Sequence, residues 1–382
     1  MHKIITLFLC LALFQSVRAS HEAAGQISVK QLNTTQFQVK AILWVDSLGL
    51  PAPNLYYKIQ GPSGLVNDTA NQVSDVSVGD QIQQRTYLDT ITLSAPGAYK
   101  LIHSNCCRNP AIVNLSNPAM DFFYLYCDFN YATAVTNSTP EFINPPLFFV
   151  GVNDTMIHQP LAVHPDGDSL AFTWANPLTN NGNAAMMTMN PYPALVGWPF
   201  TIDPNWGEIT WLPNVTGRFA YDIKVQEFRN GILLSTSHRT AFVNTCAACK
   251  VAMTSEFQYN NVNTWPQPIN HFEFVAYANQ PFSWTYSGAV PSINANALDL
   301  KLIGDQTFFN NPPTFSPVQS GSSIGGTYTW TPTTAQIRNR QYLNAIIGKE
   351  TNAINQVRRK EHTMLFRVSG GTAVDDEMKM LF

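Results

Sequence analysis

Apolar and polar residues alternate with period two in run after run along the chain, and stripes of period 3.6 are hard to find. In Gln36-Phe37-Gln38-Val39-Lys40-Ala41 every second side chain is apolar. That is the pattern of a strand with one face in a core and the other in water. Tyr221-Asp222-Ile223-Lys224-Val225-Gln226 repeats the device. Between such runs lie turn clusters: Leu50-Pro51-Ala52-Pro53-Asn54, Ala95-Pro96-Gly97, Pro165-Asp166-Gly167 and Arg229-Asn230-Gly231. The last carries the Asn-Gly pair that favours a tight hairpin. Many short strands at this spacing predict an all-β chain of tandem Greek-key β-sandwiches.

Composition narrows the picture. The 382 residues are 45% hydrophobic and only 12% charged, about half the charged fraction of an ordinary soluble domain. A disordered charged tail, a coiled coil and a collagen-like fibre are excluded. His2 and Lys3 precede an apolar run from Ile4 to Phe14 and the small-residue site Val17-Arg18-Ala19, which reads as a secretory signal peptide over 1–19. Its apolar core is too short to span a bilayer as a helix, so the mature chain is expected to be exported and free of membrane insertion. Without Lys3 and Arg18, the 22 Lys and Arg fall short of the 25 Asp and Glu by five, which gives no basis for nucleic-acid binding.

Three segments follow: 20–139, 140–250 and 251–369, with a tail over 370–382. The division at 139 rests on the Asn- and Pro-rich passage Asn137-Ser138-Thr139-Pro140 to Asn144-Pro145-Pro146, which reads as a linker because proline donates no ladder hydrogen bond. The second division rests on an internal echo. Ile209-Thr210-Trp211-Leu212-Pro213 resembles Tyr328-Thr329-Trp330-Thr331-Pro332, as tandem copies of one sandwich would.

Candidate chemistry is sparse. Asp166 and Asp168 flank a glycine that permits a sharp turn and supply two carboxylates for a calcium ion, with Asp154 as a further donor; Pro-Asp-Gly is equally an ordinary β-turn sequence. Five cysteines survive signal cleavage: Cys106, Cys107, Cys127, Cys246 and Cys249. In an exported chain disulfides are the default, with Cys107–Cys127 a hairpin-scale pair and Cys246–Cys249 close in sequence; zinc ligation lacks a matching His spacing. Gly321-Ser322-Ser323-Ile324-Gly325 matches a nucleophile elbow, yet a strand-like run follows it where that chemistry requires a helix. Trp211 lies in a strand-like run and is expected in a core, whereas Trp198 and Trp206 lie in turn-rich stretches and form a candidate sugar-stacking platform. Arg358-Arg359-Lys360 reads as a charged run that guards an exposed strand edge.

One set of motifs resembles a family. His164-Pro165-Asp166-Gly167-Asp168-Ser169-Leu170, Phe200-Thr201-Ile202-Asp203-Pro204, Gly207-Glu208-Ile209-Thr210-Trp211 and Val225-Gln226-Glu227-Phe228-Arg229-Asn230-Gly231 resemble the cadherin-like and PKD-like (Ig-like) sandwich modules of large secreted surface proteins in Bacteroidetes. The stretches Ser20 to Ile27 and Pro96 to Asn114 are similar to the domain ahead of that module. The resemblance implies a non-catalytic cell-surface or matrix role, often adhesion, with calcium stiffening the module. It adds Glu227 to Asp166 and Asp168 as a ligand through strand pairing. His164 stands where the usual acidic run begins, which removes one hard oxygen donor.

The reading is a secreted, cell-surface adhesion or structural protein, Ca2+ as the candidate cofactor, whose partners are surface glycans, other surface proteins or further copies of itself. The alternative is a carbohydrate-binding module protein that uses Trp198 and Trp206.

Overall fold

The computed structural model describes residues 22–47, 52–133, 136–164, 166–179, 182–183, 200–251, 253–258, 271–289, 295–352 and 354–371. The expected signal peptide, Trp198 and most of the tail lie outside them. The period-two runs fold as strands, and no α-helix occurs among the described residues.

Seven strands come from the first segment: β1 (Glu22–Gln31), β2 (Gln36–Asp46), β3 (Asn54–Gly61), β4 (Gly64–Gly79), β5 (Ile82–Thr92), β6 (Gly97–Asn105) and β7 (Phe123–Tyr131). They run antiparallel in the order β1-β2-β5-β4-β3-β6-β7. The second segment supplies the short strands β8 (Glu141–Phe142), β9 (Phe149–Gly151), β10 (Met156–His158) and β11 (Ala162–Val163), then β12 (Ser169–Ala175), β13 (Thr201–Ile202) and β14 (Ile209–Trp211). It ends in the long hairpin of β15 (Gly217–Arg229) and β16 (Ile232–Cys246).

Strand β16 belongs to both segments. It pairs with β7 through Ser237 opposite Cys127, and with β1 through Arg239 opposite Gln26, so the strands of the first unit close into a ring on a strand borrowed from the second. Inside the ring lie Phe37, Val39, Tyr57, Tyr99, Leu125 and Phe129. Outside it, Ala24, Ile42 and Trp44 face a second core with Phe142, Phe172, Trp211 and Tyr221. Strands β1 and β2 are thus buried on both faces, which is why apolar residues run without a break from Ala41 to Val45. A Cβ on Gly25 would lie 2.6 Å from Leu125 Cδ1 and 2.8 Å from Leu43 Cδ2, so the ring core packs against β1 there only over glycine.

The passage expected to be a linker is buried instead. Ser138, Thr139, Asn144 and Leu147 are all buried, and Pro145 and Pro146, which cannot donate to a ladder, present their carbonyls to Arg359. Arg239 donates to Asn144 O at 2.7 Å, to Phe142 O at 3.1 Å and to Gln26 Oε1, and its guanidinium lies over the Phe142 ring at 4.5 Å. Arg239→Ala would leave two buried acceptors, Asn144 O and Gln26 Oε1, unpaired at about 1–3 kcal/mol each before relaxation, while Phe142 O keeps the Gln26 amide. A loss of about 3 kcal/mol or more is expected in urea unfolding, with little recovery in Arg239→Lys, which lacks the planar fork.

The third segment forms a two-sheet sandwich. One sheet has the order β17 (Thr254–Gln258), β19 (Phe282–Ala289), β22 (Ser323–Trp330), β21 (Thr314–Ser320). The other has β18 (His271–Tyr277), β24 (Val357–Ser369), β23 (Tyr342–Asn352), β20 (Ala295–Gly304). Phe274, Trp284, Tyr328, Trp330 and Phe366 fill the space between them. Strands β21 and β22 form a hairpin about Gly321, so Ser323 opens a strand and the strand-turn-helix of a nucleophile elbow is not built there. The two tryptophans of the internal echo, Trp211 and Trp330, are core residues of their respective units. The fold is therefore all-β, built of several packed sheets in tandem units.

Candidate functional site

The turn between β11 and β12 gathers the residues expected to hold a metal. Gly167 takes φ +79° with open space where a side chain would be, and its amide closes the turn onto His164 O at 3.3 Å. His164, Asp166 and Asp168 bring ligand-type atoms within 4.8 Å of one another. The amides of Asp166 and Asp168 point at His164 Nδ1 at 3.2 and 3.3 Å, so Nδ1 accepts and the ring proton sits on Nε2. There Nε2 meets Ser138 O at 2.7 Å and Glu227 Oε1 at 2.9 Å. Strand pairing places Glu227, on β15, opposite Leu170 of β12, as the resemblance implies. Asp154 is not part of the cluster; its carboxylate accepts the Val251 amide at 3.2 Å.

A guanidinium already occupies this acidic corner. Arg229 grips both carboxylate oxygens of Asp168, at 2.8 and 2.6 Å, and continues to Thr136 O at 3.2 Å and Asn137 Oδ1 at 2.9 Å. Glu227 Oε2 accepts the Ser235 hydroxyl and Asn137 Nδ2, and Asp166 Oδ2 accepts the Ser138 amide at 2.9 Å. Burial opposes ionisation of Asp168, yet the Arg229 bonds, with His164 close by, hold its carboxyl below the ordinary carboxylate range. Calcium requires six to eight oxygens free to turn toward it. Here both oxygens of Asp168 and Glu227 Oε2 are committed to nitrogen and hydroxyl donors, and Glu227 Oε1 faces the His164 ring, so few oxygens of the set are left to turn toward that ion. From the third unit Arg340 donates to the carbonyl of Asp168, so the corner also touches the next sandwich.

A second cluster, with no local signature in the sequence, fixes the third unit to the second. Glu361 of β24 is fully buried, and its Oε2 accepts Asn144 Nδ2 at 2.9 Å, His158 Nδ1 at 3.0 Å and the Gln159 amide at 3.0 Å. Around it Leu343, Ala345, Ile347 and Leu365 pack on Leu161, Ile143 and Trp206. Trp206 is therefore half-buried in this seam and not on an open platform; the indole expected to be exposed in a turn-rich stretch is covered by strands β23 and β24 of the third unit. The basic run needs a similar correction. Strand β24 lies between β18 and β23, not at an edge. Arg358 reaches Asp80 of the first unit at 3.3 Å, and Arg359 donates to Pro145 O at 2.9 Å and Pro146 O at 2.6 Å.

Cysteine pairing departs from expectation at one end. Cys246 is bonded to Cys249, but Cys107 is bonded to its neighbour Cys106, and Cys127 is free. The side chain of Cys127 points into the ring core on β7, where burial pushes its thiol up to about 12 and keeps it from the surface loop that holds Cys107.

No protein-family model matches the chain, and no curated protein does. Among solved structures, the chain is similar to Dpr2 Ig1-Ig2 in complex with DIP-Theta Ig1-Ig3, at 10% identity and a TM-score of 0.21 over 90% of this chain and 99% of that one. It is also similar to the sialic acid binding region of the Streptococcus sanguinis SK1 adhesin bound to 3'sLn, at 11% identity and a TM-score of 0.22 over 88% of this chain and 74% of that one. At these TM-scores neither likeness bears on function, and the fold assignment rests on the strand pairing itself.

Proposed function

We propose that this chain is an extracellular adhesion or surface-structure protein that acts as one stiff body of three β units. The observation that carries the reading is the pair of bonded joints: a shared strand closes the first unit onto the second, and a fully buried glutamate ties the third to the second. Interfaces between domains of one chain are usually small, polar and mobile. A protein that must hold its loops at a set spacing, or transmit force, gains from joints that cannot slide. The secretory-type leader and the motifs similar to surface modules of Bacteroidetes support an exported, surface-associated location. Partners of this class are surface glycans, other surface proteins or further copies of the chain. Multiple display multiplies weak contacts through avidity.

Stiffness at this corner comes from Arg229, where the modules that the motifs resemble use calcium. The melting temperature of residues 20–382 is expected to be the same in millimolar calcium and in excess chelator. A site filled at 100 times its dissociation constant would add about 2.7 kcal/mol, a rise of several degrees. Such a rise would restore calcium to the corner and remove the assignment to Arg229.

The function itself is tested on beads. Beads carrying residues 20–382 are expected to resist detachment under shear from surfaces coated with extracellular glycans or surface proteins, or from one another, better than beads carrying albumin. Equal detachment on every surface would end the adhesion reading.

A further inference from the structure

Where the three units meet they do not close completely, and a cleft of about 400 Å³ remains. Its walls come from all three: Val76 and Val78 at the end of β4, Pro146 and Phe149 from the buried passage, Ile303 and Ile347 from the outer face of the third sandwich. This volume falls inside the ~300–1,000 Å³ of small-molecule pockets, which favour domain interfaces, apolar walls and a few placed polar groups.

Charge around the cleft is uneven once its internal pairs are set aside. Asp80 is held by Arg358 at 3.3 Å and accepts the Val357 amide at 3.0 Å. Asp299 contacts Lys301 at 3.4 Å. Arg359 is occupied by the proline carbonyls and lies 3.6 Å from Glu361. Lys349 remains. It stands opposite Asp299 and Arg359 in the strand register, yet among the described residues no ion pair or side-chain hydrogen bond reaches its ammonium. A half-buried lysine engaged in no ion pair, beside apolar walls, is complementary to an anion with an apolar body.

We propose that this cleft binds a small anionic amphiphile, an acyl or aryl carboxylate whose apolar part lies between Val76 and Ile347 and whose carboxylate pairs with Lys349. Bound there, the ligand would touch all three units at once and strengthen their junction. The cleft proposal does not rest on the adhesion reading, so its failure leaves that reading standing.

The probes are pyrenebutyrate and its uncharged counterpart pyrenemethanol, titrated by fluorescence against residues 20–382. Pyrenebutyrate is expected to bind saturably and about tenfold more tightly than the alcohol, the factor of one partly desolvated ion pair. Lys349→Glu is expected to abolish that preference. Val76→Trp, at a position 53% exposed at the mouth of the cleft and thus tolerant of a larger side chain, is expected to weaken both probes. Unchanged melting of each variant shows that the fold is intact. Absence of saturable binding, equal affinity for the two probes, or affinity unchanged in both variants would overturn the proposal.

Discussion

Residues 20–139 expressed alone are expected to show no cooperative unfolding transition, whereas residues 20–250 unfold cooperatively. The shorter fragment ends before β16, so β1 and β7 lose the strand that joins them and the ring core opens along that seam. It also strips the outer cover from Ala24, Ile42 and Trp44, which pack against the second core in the whole chain. Trp44 alone is 1% exposed, and exposing a side chain of that kind forfeits about 1.5–3 kcal/mol. With two unpaired edges and a bared apolar face, the fragment should aggregate rather than fold. Circular dichroism and urea titration of both fragments decide the matter. A stable, cooperative 20–139 would show that the ring does not need its eighth strand.

Glu361→Ala is expected to cost about 3–5 kcal/mol, the usual penalty for removing one partner of a buried ionic network. Asn144, His158 and the Gln159 amide would lose their common acceptor, and Arg359 its nearby negative charge. Scanning calorimetry should resolve the effect as an early transition of the third unit, since β24 keeps its own sandwich core while its seam with the second unit fails. A uniform shift of one transition would mean that the three units unfold together and that the seam is no weaker than the cores.

The same seam sets an acid limit. Burial alone would raise the pKa of Glu361, but His158, Arg359 and the Gln159 amide outweigh it and hold the carboxyl below its usual range. Its contribution is therefore present above the ordinary value of about 4.3 and is lost as pH falls through the lower folded value. Burial lowers the pKa of His158, so the unfolded chain takes that proton first and stability declines as pH falls through about 6.5. Glu208 acts in the opposite sense: burial pushes its carboxyl up to about 7, so its contribution fades as pH rises from about 4.3 toward 7. At lower pH the acid loss belongs to the depressed carboxyls, Glu361 and Asp168, and a Glu361→Gln chain should show a shallower decline there.

Much of the fold is legible in the sequence because strand formation and turns are decided within a few residues. Period two marks β2 and β15, Asn230-Gly231 marks the hairpin tip, and Cys246 and Cys249 are near enough in sequence to bond. The proximity of Asp166, Asp168 and Glu227 is legible as well, through turn spacing and a resemblance in strand pairing. What the acidic corner holds is another matter. Its occupant, Arg229, stands two residues beyond Glu227 in the hairpin, yet only the paired strands show that its guanidinium turns back onto Asp168.

Alternation records which side of a strand is apolar but not what covers that side, and it disappears where both faces are covered, as in the second half of β2 from Ala41 to Val45. For the same reason a proline-rich passage looks like a linker until three units close around it, and Trp206 looks exposed until the third unit packs on it. The sequence by itself determined the strands, the turns and the all-β class, since these depend on neighbours along the chain. Tertiary structure alone decided the borrowed strand, the buried glutamate and the arginine in the acidic corner. Those depend on partners tens to hundreds of residues away, and the desolvation that makes them strong exists only once the chain has closed around them.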